Sequence, residues 1–347
     1  MKKYQFAFIY LLPALVFYSF NQTGWITFLP ILFFFGAVPL LELFIKPDNS
    51  NVSKELALKM KKDPFFDWLI YLIIPVHIGM LIYFFTIIKA TPFNTLDYWG
   101  KVASMGLMCG VIGINLGHEL GHRSKRFIQF LGEILLITSL DTHFLPYHNA
   151  GHHFNVATPH DSATAKKNEI LYLFWITSHF GSYIEAWKIE NKRMKKNGKS
   201  IFSFNNRMIQ YTFANILLLA AIYLTFGTHV LISFIIAAII GILLLETVNY
   251  IEHYGLLRDK NEHGRYERVR HNHSWNSDHL LGRFLLFNLS RHSDHHYNGS
   301  KKYQILKSVE TSPQMPTGYP GMMILAIIQP AWFYIMNNNL NKINNEQ

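Results

Sequence analysis

The feature that most constrains this chain is a series of apolar runs, each about 20 residues long, with hardly a charge inside them. A bilayer core roughly 30 Å thick demands about 20 such residues of a helix that crosses it, whereas a soluble helix keeps one polar face. Six windows qualify, near 4–21, 25–45, 67–88, 98–120, 207–227 and 229–251. The pattern predicts an all-α integral membrane protein of six transmembrane helices, with residues 1–347 forming a single membrane-embedded domain. Composition agrees: 50% of residues are hydrophobic and only 16% charged, which excludes a disordered chain and an ordinary soluble enzyme.

Lys2 and Lys3 precede the first run with no small-residue cleavage site after it, so that run reads as a retained anchor. Six spans put both termini on one side. If that side is the cytoplasm, then Lys46, Lys54, Lys59, Lys61, Lys62, the basic residues from Arg123 to Arg207 and the C-terminal region are all cytoplasmic. Only Lys89 and Lys101 lie near the far face, as the positive-inside rule requires. Segments 123–206 and 252–347 then form a cytoplasmic helical cap, and the setting is a bacterial inner (plasma) membrane. Within the cap, stretches 127–145 and 170–187 are apolar but interrupted by Asp141, His143, His179 and Glu185, which suits helices at or just beneath the interface. The Asn-rich tail after Asn337 is expected to fray. The net charge of +10 does not indicate nucleic acid, because the basic residues flank apolar runs and are not interleaved with aromatics on a polar domain.

A single cysteine, Cys109, excludes a disulfide scaffold, a thiolate iron centre and a Cys-rich zinc module, so any metal must be held by nitrogen or oxygen. The eighteen histidines supply the nitrogen, and nine of them fall in four short clusters in the predicted cytoplasmic part. His118-Glu119-Leu120-Gly121-His122 ends the fourth predicted span with an i, i+4 pair on one helical face. His148 to His153 repeats that pair as His148 and His152 and adds His153. His253 stands where the last span emerges, and His292, His295 and His296 can all point to one side of a helix. Nine imidazoles exceed one ion's capacity, so two metals with four or five rings each is the natural partition. Glu119, Glu252, Asp278 and Asp294, with Asn249, stand beside these rings as groups that could take up the outer N–H of a metal-bound imidazole and so orient it. The isolated His77, His179, His229 and His263 read as hydrogen-bonded structural residues.

These clusters resemble those of the membrane-bound alkane 1-monooxygenases, integral-membrane members of the fatty acid desaturase and hydroxylase superfamily. The resemblance rests on Asn115 to Arg123, on His148 to His153 followed by Val156-Ala157-Thr158-Pro159, and on Asn249 to Leu257 with its His253-Tyr254-Gly255 element. His273 to Asp278 and Arg291 to His296 complete it, and flanking matches extend from Gly36 to Pro320. It implies a six-span fold with a di-iron, non-haem centre ligated by His118, His122, His148, His152, His153, His253, His292, His295 and His296. It further implies hydroxylation of a terminal C–H bond of a medium- or long-chain alkane to a primary alcohol, with dioxygen and with electrons from rubredoxin and its rubredoxin reductase. Two positions depart from the family pattern: Tyr147 stands where an acidic residue usually precedes the second box, and Ser290 where glutamine precedes Arg291.

No dinucleotide or Walker fingerprint is present, and Gly110, Gly113 and Gly117 lie inside an apolar helix where close packing accounts for them. Electrons must therefore arrive from another protein. Arg258, Lys260, Arg265, Arg268, Arg270, Arg283, Lys301 and Lys302 flank the last two boxes and form the expected docking surface for an acidic donor. A hydrophobic small-molecule substrate would enter from the lipid bilayer, and Phe34, in the run Phe33-Phe34-Phe35, is the expected tunnel residue. The competing readings are a fatty-acyl desaturase or hydroxylase, an alkyl-aromatic side-chain monooxygenase, a membrane zinc protease using His118, Glu119 and His122, and a metal transporter. The protease leaves three boxes unexplained, and a transporter should hold its ligands near the bilayer midplane.

Overall fold

Three of the long apolar helices begin at side chains that take up their first unpaired backbone N–H groups. Asp63 accepts from Phe65 N at 2.9 Å, Thr95 from Tyr98 N at 3.2 Å and Asn206 from Met208 N at 3.0 Å. A computed structural model describes residues 3–346 and is all-helical, with two isolated β-bridges and no strand among the described residues. Five helices are long and apolar enough to cross a membrane: Gly24–Glu42, Pro64–Ile88, Leu96–Gly121, Arg207–Phe226 and Thr228–His253. The first apolar run folds as a 3-10 segment, Lys3–Tyr10, followed by an α-helix, Leu11–Phe20. Lys2 lies outside the described residues.

Two compact units emerge from the contacts, one built of residues up to Gly36, Asp63–Pro146 and Ala186–Leu245, the other of Ala37–Lys62, Tyr147–Glu185 and Glu246 onward. In the first, Leu96–Gly121 is the central helix: 83% of its apolar window is buried, against 11% for Arg207–Phe226. Small residues let its backbone approach Thr228–His253. A Cβ on Gly106 would stand 2.6 Å from Ile240 Cβ, and one on Gly241 would stand 2.8 Å from Cys109 Cβ. Gly117 likewise admits Leu136 of the helix Arg126–Ile137, which packs on the end of the central helix. The buried cluster of Ile114, Leu136, Phe144 and Leu145 seals this contact. Glu133 is buried there and satisfied by Arg126 at 2.6 Å and the Tyr211 hydroxyl at 2.8 Å. His229 accounts for itself as a structural residue, with Nε2 at 3.1 Å from Ile88 O and 3.0 Å from Thr91 O at the end of Pro64–Ile88.

In the second unit, the His253-Tyr254-Gly255 element turns the chain off the last apolar helix. Gly255 has φ +72, a left-handed conformation that favours glycine, and its N–H donates to Ala165 O at 2.8 Å. Tyr254 OH accepts from Asn168 N at 2.9 Å and lies 3.0 Å from Asn337 Oδ1. The Asn-rich tail does not fray: Gln329–Glu346 is a helix. Trp332, Met336 and Leu340, spaced four apart, form a buried stripe, and Trp332 packs at a tilt on Tyr250 and edge-on against Tyr254. Burying that stripe outweighs the poor helix propensity of the asparagines between.

Candidate metal centre

Two of the nine histidines belong to the first unit. His118 and His122 end the central helix with their Nε2 atoms 3.1 Å apart, as an i, i+4 pair requires. Glu119 between them is held by Arg123 at 2.7 Å, and Arg123 also reaches Asp67 at 3.1 Å, so this acid clamps the helix end.

The other seven belong to the second unit, where local helix geometry sorts them into two groups. His148–His152 is a π-helical turn, which brings residues five apart onto one face. His148 therefore pairs with His153, Nε2 to Nε2 at 3.0 Å, and His152 turns elsewhere. This corrects the i, i+4 pairing of His148 with His152. The short helix His292–Tyr297 also divides its rings: His292 and His296 join one group, while His295 stands with His148 and His153, so the three do not act from one side. The resulting set of His152, His253, His292 and His296 is fully buried, with one nitrogen from each within 4.8 Å of the rest. Nε2 of His152 lies 3.2 Å from that of His296, and Nε2 of His253 lies 3.2 Å from that of His292.

The donor set fits a metal. Imidazole nitrogens bound side by side to one ion at about 2.1 Å come to about 3.0 Å from each other. A shared proton could explain one such pair but not four converging rings, because a neutral imidazole has a single N–H. That of His152 is already assigned, since its Nδ1 faces Asp161 Oδ2 at 2.9 Å, which leaves the Nε2 lone pair directed at the other rings. Burial keeps two of the rings neutral: it pushes His153 down to about 3, and burial with the neighbouring histidines holds His296 well below the ordinary imidazole value. Neutral imidazole is the form that ligates.

Asp161 is the orienting residue that the sequence reading missed. It is buried, and it accepts from the hydroxyls of Tyr147 and Thr164 as well as from His152. Burial would raise its carboxyl, but the His152 pairing and these hydrogen bonds outweigh burial and bring it to about 2. Its signal was available two residues beyond the Val156 to Pro159 motif. Tyr147, the departure noted before the second box, thus has a role: its hydroxyl ties Asp161 to Ala163 N, which donates to it at 3.0 Å.

The acids named from sequence act differently from one another. Glu252 faces the ring cluster: its Oε2 is 3.1 Å from His292 Nε2, and its Oε1 accepts from Tyr319 OH at 2.8 Å. Asp278 receives Arg291 Nε at 3.0 Å and Ser308 Oγ, and Asp294 receives Lys301 Nζ and Lys307 N. Both therefore brace the loops around the last box. Asn249 donates to Glu246 at 3.2 Å.

Comparison with known proteins decides the family. The fatty acid desaturase family model matches residues 94–326. The chain is 39% identical to an alkane 1-monooxygenase of Ectopseudomonas oleovorans, over 90% of this chain and 78% of that protein. It is 37% identical to alkane 1-monooxygenase 1 of Alcanivorax borkumensis, over 92% and 80%. The chain belongs to the alkane 1-monooxygenase family. It is an integral membrane monooxygenase carrying histidine-rich metal-binding clusters. A more distant relative, 27% identical over 87% of this chain and 79% of its own length, is the hydroxylase component of a xylene/toluene monooxygenase from Pseudomonas putida.

Within this family member, Phe34 is buried in the π-helical turn Phe33–Ala37 and meets Phe35 edge-on, with ring centroids 5.2 Å apart. The basic surface is smaller than the sequence suggested. Arg283 is buried, donating to Asp48 O at 2.7 Å and Asn288 Oδ1 at 3.1 Å, and burial and nearby Arg291 lower it to about 10. It cannot greet a partner. Arg258 is also buried, with its guanidinium on the carbonyls of Glu267 and Phe154. Lys301 is tied to Asp294, and Lys302 is half-buried. Arg265, Arg268 and Arg270, with Lys260, remain exposed.

Proposed function

We propose that this chain is a non-haem di-iron monooxygenase that hydroxylates the terminal carbon of a medium- or long-chain alkane to a primary alcohol. The observation that carries the reading is the buried four-histidine set, within a chain whose relatives are named alkane 1-monooxygenases. In it, His118, His122, His148, His152, His153, His253, His292, His295 and His296 hold two iron ions. When bound, iron supplies the capacity to bind and reduce dioxygen, which zinc lacks. The reaction balances as alkane, dioxygen, two electrons and two protons giving alcohol and water.

The chain's own residues supply placement and shielding. Asp161 fixes the ring of His152 with Nε2 directed inward. Tyr319 holds one oxygen of Glu252 so that the other faces His292. The buried rings exclude water from the oxidant. An alkane has no polar handle, so it reaches the site from the bilayer through an apolar tunnel in which Phe34 limits depth. Electrons come from rubredoxin, kept reduced by its reductase and docked on Arg265, Arg268 and Arg270.

Six spans complete the topology. The eight 3-10 residues Lys3–Tyr10 and ten α residues Leu11–Phe20 reach roughly 31 Å at about 2.0 and 1.5 Å per residue, enough for the first crossing. Both termini and the histidine boxes then lie on the cytoplasmic side of a bacterial inner membrane, in one catalytic domain. The xylene/toluene relative favours a second substrate class, the methyl group of an alkyl aromatic. Membranes containing the protein, rubredoxin, rubredoxin reductase and NADH, given alkanes, alkyl aromatics and fatty acids, test the reading. 1-Alkanols as the main products support it; benzylic alcohols or desaturated acyl chains as the main products refute it.

A further inference from the structure

In the first unit, His77 is wholly buried midway along Pro64–Ile88, and neither ring nitrogen has a hydrogen-bond partner among the described residues. It is not the hydrogen-bonded structural histidine that its isolation in sequence suggested. Its Cε1 lies 3.5 Å from the place where a Cβ would stand on Gly113, and Ser139 Oγ comes within 1.9 Å of the same point. Glycine is thus what lets the imidazole and the hydroxyl share one spot. Ser139 Oγ donates to Cys109 O at 3.3 Å. Both helices carry a special feature here: Pro75 sits inside one, and the π-helical turn Cys109–Ile114 widens the other. A proline leaves a carbonyl of the preceding turn without its donor, and single π-turns inside helices are frequent at functional sites.

An unmet donor and an unmet acceptor are costly in a hydrocarbon setting, and buried polar groups in native proteins nearly always have partners. We propose that His77, Ser139 and the widened turn at Cys109–Ile114 form a subsite that binds a hydroxyl group. A hydroxyl can accept from the N–H of a neutral imidazole or donate to its bare nitrogen, whichever of the two faces it. An ion would require a counter-charge, which neither His77 nor Ser139 supplies. Gly113 precedes His118 by five residues, about 7.5 Å along the helix, so the subsite lies on the membrane side of the first histidine pair. The hydroxyl has two sources: an internal water, or the primary alcohol formed in the reaction proposed above, and the second source rests on that reading.

Iron-loaded protein in detergent, without reductant, is titrated with 1-octanol and with n-octane, comparing wild type, His77→Leu and His77→Gln. The expected result is that His77→Leu weakens 1-octanol binding about tenfold, the value of one good hydrogen bond, leaves n-octane binding and iron content unchanged, and is largely rescued by His77→Gln. Unchanged 1-octanol binding, together with a His77 ring ¹⁵N signal showing a hydrogen-bonded N–H that exchanges with solvent, assigns the subsite to water. Unchanged 1-octanol binding with no hydrogen-bonded His77 nitrogen overturns the proposal. If His77→Leu does not fold, His77→Gln and the nitrogen signal of the wild type decide between the same outcomes. Failure of the catalytic reading is separate: it would appear as absent alkane oxidation by the wild type, whatever the binding data.

Discussion

Asp161→Asn isolates the contribution of a single carboxylate to metal binding. In the wild type the carboxylate is ionised at neutral pH, having been brought to about 2, and it faces His152 Nδ1 at 2.9 Å. Asparagine keeps the shape and one oxygen but removes the charge, and its amide can instead present N–H to Nδ1. That would move the ring proton to Nε2, the atom that must ligate. A hydrogen bond to a charged group contributes about 1.5–3 kcal/mol, so iron affinity should fall about 10- to 150-fold. Tyr147→Phe removes only one supporting hydroxyl and leaves the charge of the carboxylate and its contact with His152 in place, so the loss of iron affinity should be smaller than in Asp161→Asn. Competition of purified protein against a graded series of iron chelators, read as bound metal by elemental analysis, measures both values. Wild-type iron affinity in Asp161→Asn, or a larger loss in Tyr147→Phe than in Asp161→Asn, would refute the argument that Asp161 acts through the His152 tautomer.

Single replacements of His118, His253 or His296 by alanine should abolish turnover and lower bound iron, whereas His229→Ala, which removes contacts to the Ile88 and Thr91 carbonyls and to the Phe93 and Tyr98 rings, should retain iron. Charge reversal at Arg265, Arg268 and Arg270 should raise the donor concentration for half-maximal turnover and flatten its salt dependence, with unchanged iron content. Arg283→Ala should instead lower thermal stability without a specific donor effect, because its guanidinium is buried against Asp48 and Asn288. Metal-free protein should lose stability as pH falls below about 6.5. There the unfolded chain takes up protons on histidines that stay neutral when folded, His153 down to about 3. A thermal-melt series from pH 8 to 5 that is flat or rises toward acid would contradict the burial of these rings.

Some of this molecule is written in local pattern alone. Spans need only a count of consecutive apolar residues, since lipid admits few other solutions for a backbone, and five of the six windows form helices long enough to cross. The histidine boxes are equally local, because i, i+3 and i+4 spacing brings rings close together, but which set each ring joins is decided by packing, as the separation of His295 from His292 and His296 within one regular helix shows. Regularity is what a one-dimensional pattern does not report. The π-helical turn His148–His152 reassigns His148 to His153, and only the packed structure reveals it. Asp161 escaped notice because its tie to His152 is made by a folded loop and not by helical repeat. Arg283 looked like surface charge because a basic residue in a polar segment is usually solvated, yet the tertiary fold buries it against Asp48 and Asn288. The tail was misjudged for a related reason: its asparagines argue for disorder one residue at a time, while the stripe of Trp332, Met336 and Leu340 gains its stability only from the aromatic surface that the rest of the chain brings to it.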